Sequence, residues 1–141
     1  MKTWLIDTGP LVAYVDAADP AHQSVVDVLD GFSGRLHTTA AVVTEAMHLV
    51  SDDVDGPEAL VELLNTGGAE VAAVTEPASL RAAVVLMKKY RDTPMDFADA
   101  TLVLLAEELN VTEIATLDRR GFSTYRLSRG RAFRLVLPAR R

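Results

Sequence analysis

Cysteine is absent from the 141-residue sequence, which excludes a disulfide framework and any thiolate-bound metal. Histidine is scarce: His22, His37 and His48 show no paired ligand spacing, which argues against zinc. No apolar run approaches the roughly 18 residues of a membrane span. The start, Met1-Lys2-Thr3-Trp4-Leu5-Ile6-Asp7, places a charge where a signal peptide would continue apolar. The expectation is a cytoplasmic protein with no membrane partner. Bases are scarce over most of the chain as well. Residues 1–118 hold all 20 acids and only six bases, a net −14, whereas Arg119–Arg141 carries eight arginines and no acid, a net +8. The formal −6 therefore conceals an acidic body with a basic end, an arrangement that suits cations held in one place and phosphates beside it. A solubilising surface with a basic tail is the plain alternative.

What is present is a hydrophobic content of 49% and a charged content of 24%, the composition of a soluble globular protein. A chain of this length buries roughly two thirds of its unfolded surface around one core, so a single domain over residues 1–141 is expected. Short β-like runs alternate with longer helical ones. Strands are expected at Thr3–Ile6, Arg35–Thr38, Glu70–Val74, Val111–Leu117 and Ala132–Leu137. Helices are expected from Gly9-Pro10 to Asp16, Pro20 to Leu29, Ala40 to Val50 with Thr39 as cap, Gly56-Pro57 to Asn65, Pro77 to Tyr90, and Asp96 to Leu109. Strands separated by helices imply right-handed parallel connections and a three-layer α/β/α sandwich with about five parallel strands. Ligands of such sheets bind beyond the carboxyl ends of the strands.

Two expected strands end alike, in Leu5-Ile6-Asp7 and Thr116-Leu117-Asp118, so parallel neighbours would bring Asp7 and Asp118 to one sheet edge. Each could equally be an ordinary cap or turn residue. Glu45 is an acid in a largely apolar helical segment; the plain alternative is an exposed position paired with His48 one turn on. Asp96 and Asp99, three apart, share one face at a helix start, which is also a capping pattern, and for Asp96 alone the cap is the favoured reading. Converging carboxylates repel by about 1 kcal/mol per pair at 4 Å in water and about 4 kcal/mol at an intermediate dielectric, so a cluster of them needs a cation. All-oxygen ligation selects Mg²⁺, for which Mn²⁺ can substitute. Such ions at a sheet edge suit phosphodiester hydrolysis.

At these residues the chain resembles the PIN-domain ribonucleases, in particular the VapC toxins of toxin–antitoxin pairs. Leu5-Ile6-Asp7-Thr8-Gly9-Pro10-Leu11 is similar to that family's opening strand and turn, Thr44-Glu45 to its helical acid, Phe97-Ala98-Asp99-Ala100 to its third motif, and Thr116-Leu117-Asp118-Arg119-Arg120-Gly121-Phe122 to its last. The resemblance covers about residues 3–137. It implies sheet order 3-2-1-4-5, Mg²⁺-dependent endonucleolytic cleavage of RNA (tRNA or rRNA), homodimers, and a small antitoxin that covers the site. It implies further that Asp7 and Asp99 hold the metal most directly, with Asp96, Glu45 and Asp118 supporting, and with Thr8 and Thr116 as hydroxyls behind them. Arg119 and Arg120 would meet RNA phosphates, and Arg129, Arg131 and Arg134 would add affinity from outside the acidic motifs. An aspartyl phosphatase would need a second acid where Gly9 stands, and a receiver domain would need a lysine after a late strand, where none occurs. A DNA-directed or structure-specific nuclease of related fold, or a non-catalytic PIN-like binding module, stays open as an alternative.

Overall fold

A computed structural model describes residues 1–139; Arg140 and Arg141, the end of the basic segment, lie outside the described residues. The strands are β1 (Thr3–Ile6), β2 (Arg35–Thr39), β3 (Glu70–Ala72), β4 (Glu113–Ala115) and β5 (Arg134–Leu135). The helices are α1 (Thr8–Val15), α2 (His22–Asp30), α3 (Ala40–Val50), α4 (Gly56–Thr66), α5 (Pro77–Lys89), α6 (Phe97–Leu109) and α7 (Arg119–Thr124), with a 3₁₀ turn at Ser128–Gly130. All strand pairs are parallel, in the order β3-β2-β1-β4-β5. The fold is the expected three-layer α/β/α sandwich in the PIN-like order.

The central strand β1 is short, and Leu5 and Ile6 within it are fully buried between helical layers. The register pairs Ile6 with Ala115, so the residues that follow, Asp7 and Thr116, emerge side by side at one edge of the sheet. α6 is buried along most of its length, from Ala98 to Ala106, because its apolar residues run all round the helix rather than along one stripe. Three buried threonines tie this frame together. Thr38 donates its hydroxyl to the Ile6 carbonyl at 2.7 Å, and the hydroxyls of Thr39 and Thr101 share a hydrogen bond of 2.8 Å. Thr39 also caps α3 by accepting from the Val42 amide at 3.3 Å. The start of α3 is thereby fastened to the first turns of α6.

Several boundaries differ from the sequence-based expectation. β4 and β5 are shorter than Val111–Leu117 and Ala132–Leu137, since only their middles reach a neighbouring strand: Glu113 pairs with Arg134 and Ile114 with Leu135. β3 likewise ends at Ala72 rather than Val74, whose φ of 52° takes the chain out of the extended region. α2 starts at His22 rather than Pro20, after a turn in which Asp19 accepts from the Ala21 amide at 2.8 Å. α7 was not expected at all. Among the described residues no helix is long and apolar enough to cross a membrane.

Candidate active site

Asp7 leaves β1 and caps α1. Its Oδ1 accepts from the Thr8 amide at 2.8 Å, and its Oδ2 accepts from the Thr116 hydroxyl at 2.7 Å. The Asp7 amide donates to the Ala115 carbonyl at 3.0 Å, which extends the β1–β4 ladder into the site. The side chain is only 7% exposed. Burial pushes its carboxyl up from 3.8 to about 6, against the lowering effect of the Thr116 and Thr8 bonds, while the charges of Asp118 and Asp96 push it further.

Asp99 stands in the first turn of α6, where Asp96 and Asp99 form a reciprocal capping box. The Asp99 amide donates to Asp96 Oδ1 at 2.8 Å, and the Asp96 amide donates to Asp99 Oδ2 at 3.1 Å. Asp99 is pushed up to about 8, first by burial and then by the charges of Asp7 and Asp96. Asp118 follows β4 and caps α7: its Oδ1 accepts from the Gly121 amide at 3.0 Å, and its own amide donates to Thr116 Oγ1 at 3.0 Å. Thr116 thus joins Asp7 to Asp118 through one hydroxyl. Among the described residues none of these acids, nor Glu45, forms an ion pair; the pairs present join His37 to Glu70, Arg131 to Glu107 and Arg134 to Glu113.

Asp7, Asp96, Asp99 and Asp118 therefore feel one another's charge, but the cluster is looser than a closed pocket. Among the described residues no three Asp, Glu, His or Cys side chains lie close enough to enclose an ion. Asp7, Asp96, Asp99 and Asp118 each commit an oxygen to a backbone amide. Glu45, half-buried on α3, stands across an open cleft of about 640 Å³ from Asp96 and Phe97. Thr8 Oγ1 is buried without a hydrogen-bond partner.

Two further residues shape the site: Tyr125, which the motifs do not include, and Gly121, which the sequence shows only as a member of the last motif. Tyr125, fully buried, donates its hydroxyl toward Asp99 Oδ2 at 3.5 Å and is held edge-on by Tyr90 and Phe122. Burial and the nearby acids raise its phenol above the ordinary range. Gly121 is where this side of the site converges, because a Cβ there would stand 2.3 Å from Asp118 Oδ2 and 3.0 Å from the Tyr125 hydroxyl. The only sequence signal for Tyr125 was its position one helical turn after Gly121, and that helix was not foreseen.

The arginines divide. Arg119 donates to the Leu137 carbonyl at 2.9 Å, and Arg120 is exposed in the first turn of α7 beside Asp118. Arg131 and Arg134 do not join the acids: they pair with Glu107 and Glu113. Glu107 is eight residues along α6 from Asp99, about 12 Å along the axis, and Arg134 opens β5 at the strand end away from Asp7 and Asp118. Arg129, with φ of 63°, is in the same outlying 3₁₀ turn.

The sheet order and the acids beyond the carboxyl ends of β1 and β4 define a PIN-like α/β/α fold. No protein-family model matches the chain. It is 37% identical over 134 residues to Ribonuclease VapC26 of Mycobacterium tuberculosis (strain ATCC 25618 / H37Rv), covering 94% of this chain and 98% of that relative. The chain belongs to the VapC family of PIN-domain ribonucleases. The crystal structure of Mycobacterium tuberculosis VapC20, titled a Sarcin-Ricin loop cleaving toxin, matches with a TM-score of 0.67 at 18% identity, over 80% of this chain and 87% of that one. At that identity the likeness concerns the fold.

Proposed function

We propose that the protein is a Mg²⁺-dependent endoribonuclease, the toxin of a toxin–antitoxin pair, with Asp7, Glu45, Asp99 and Asp118 as its catalytic acids. The observation that carries this reading is the Asp7–Asp99 pair. Both carboxyls are pushed up first by burial and then by neighbouring acids, Asp118 and Asp96 for Asp7, and Asp7 and Asp96 for Asp99, and neither has a basic partner among the described residues. Such a pair is complementary to a divalent cation, and the donor set fits a hard one: Asp7 and Asp99 offer carboxylate oxygens, Thr116 holds Asp7 through its hydroxyl, and the Thr8 hydroxyl is buried without a hydrogen-bond partner. Bound there, Mg²⁺ or Mn²⁺ would supply the charge that favours attack of water on a phosphodiester.

The chain's own residues do the positioning. Asp7 and Asp99 hold the cation, and Thr116 keeps Asp7 and Asp118 in fixed relation through its single hydroxyl. Asp118, tied to Asp7 through Thr116, and Glu45, across the cleft from Asp96, would orient water, and Asp96 supports the site mainly by fixing the first turn of α6. Arg119 and Arg120, which follow Asp118 in the first turn of α7, would meet phosphates. The relatives' names, a ribonuclease and a toxin that cleaves the Sarcin-Ricin loop, support RNA as the substrate class, tRNA or rRNA, and a small antitoxin as partner. A homodimer working in the cytoplasm completes the reading. Its test is cleavage of purified tRNA and rRNA with Mg²⁺, in excess chelator, and by Asp99→Asn; full activity without metal, or in the variant, removes it.

A further inference from the structure

The cleft between α3 and the start of α6 lies beside the acids but has a different character. Its floor is made of alanines from three segments, Ala41, Ala73 and Ala98, and its rim carries Glu45, His48 and Asp96. Phe97 lines it with 36% of its surface exposed, a large apolar ring left open at the first position of a helix. The capping box on either side of it, from Asp96 to Asp99, fixes the backbone that carries the ring. An apolar floor rimmed by two carboxylates repels phosphate. It accepts a flat, uncharged group with amino donors at its edge, and in RNA that group is the base: aromatic rings stack on bases of any sequence, and carboxylates accept from exocyclic amines.

We propose that this cleft receives a nucleobase of the RNA, stacked on Phe97, next to the phosphodiester held at Asp7 and Asp99. The inference rests on the ribonuclease reading above and adds a substrate subsite to it. Asp96 lines the cleft and is tied to Asp99 by the reciprocal capping bonds, so the cleft adjoins the acids and a base stacked on Phe97 places the adjoining phosphate beside them. The Thr44 hydroxyl is already committed to the Ala40 carbonyl at 2.8 Å, which leaves Thr75, His48, Glu45 and Asp96 as the polar groups that meet the base edge.

The test is steady-state cleavage of total tRNA in Mn²⁺ by wild type, Phe97→Ala and Phe97→Trp, with a short single-stranded RNA and the matching abasic ribose-phosphate strand as competing inhibitors. Loss of one stacked base should raise KM about five- to hundredfold in Phe97→Ala, with a much smaller change in kcat, and Phe97→Trp should restore it. The RNA should outcompete the abasic strand against wild type but not against Phe97→Ala. An unchanged KM, or equal loss of both inhibitors, overturns the subsite. So does a Phe97→Ala variant that loses a larger assembly by light scattering and is not rescued by Trp, which would mean that a protein surface covers the cleft. If wild type cleaves no RNA, the ribonuclease reading falls, and the subsite falls with it; a subsite failure alone leaves cleavage intact.

Discussion

Replacing Asp7 by Asn should stabilise the metal-free protein while abolishing its activity, and the size of the effect follows from the buried carboxyl. Asp7 titrates at 3.8 in the ordinary case and at about 6 in the fold. Holding it ionised above pH 6 therefore costs roughly 3 kcal/mol relative to the unfolded chain. Asn removes that cost. Its carbonyl can still accept from the Thr8 amide, but its bond with Thr116 is neutral rather than charge-assisted, a loss of about 1 kcal/mol. The net gain is about 2 kcal/mol, or roughly 6–8 °C in Tm for a domain of this size. The sign depends on pH. A raised folded pKa gives stability that is complete below 3.8 and lost as the pH rises to about 6, so wild type should weaken over that window and Asn should not follow it. Thermal melts in chelator at pH 4 and pH 8 would show the gap opening with pH. Saturating Mg²⁺ should reverse the order, since ligand at a hundred times its Kd stabilises wild type by about 2.7 kcal/mol. An Asn variant that is less stable than wild type at pH 8 in chelator, or a gap that ignores pH, refutes the reasoning.

Other substitutions separate the roles. Asp96→Ala should cost about 1 kcal/mol of stability through its lost cap, read by chemical denaturation, while Asp96→Asn should lower the cleavage rate far less than Asp99→Asn. Gly121→Ala should reduce activity more than Tyr125→Phe, because its Cβ must displace the Asp118 carboxylate, whereas Phe gives up only a long 3.5 Å contact; kcat for both variants checks the order. Arg120→Gln should flatten the dependence of RNA affinity on salt by up to about 0.7 in log–log slope. Arg131→Gln with Arg134→Gln should leave it unchanged, as titration at several ionic strengths would show.

Most strands and helices are legible because the elements carry their own punctuation, whereas the sheet order follows only from the family resemblance. Gly-Pro pairs stand in the first turns of α1 and α4, Thr39 caps α3, and an Asp follows each of the two strands that present acids, directly after β1 and three residues after β4. The ends of β4 and β5 were not legible, since Val111 and Val136 have strand composition whether or not a partner reaches them. α7 escaped because six residues with a glycine in the middle carry no apolar period. Without that helix Gly121 is only one residue of the last motif and Tyr125 carries no signal, since their relation to Asp118 and Asp99 exists only once it is formed. Asp7, Asp99 and Asp118 stand out in the sequence by their positions at strand and helix ends and Glu45 by its apolar helical surroundings, whereas the arginines are grouped by composition alone. Charge on a segment does not say which end of the sheet the segment occupies: Arg134 enters β5 at the far edge, while Arg119 is held at the near one by the Leu137 carbonyl.

The central claim is that the acids act on RNA through a divalent cation. End-mapping of purified tRNA and rRNA after incubation with the protein tests it most directly. The account predicts cuts at defined positions in Mg²⁺ or Mn²⁺, and none in excess chelator or with Asp99→Asn. Cuts at the same positions and rate in chelator would contradict it.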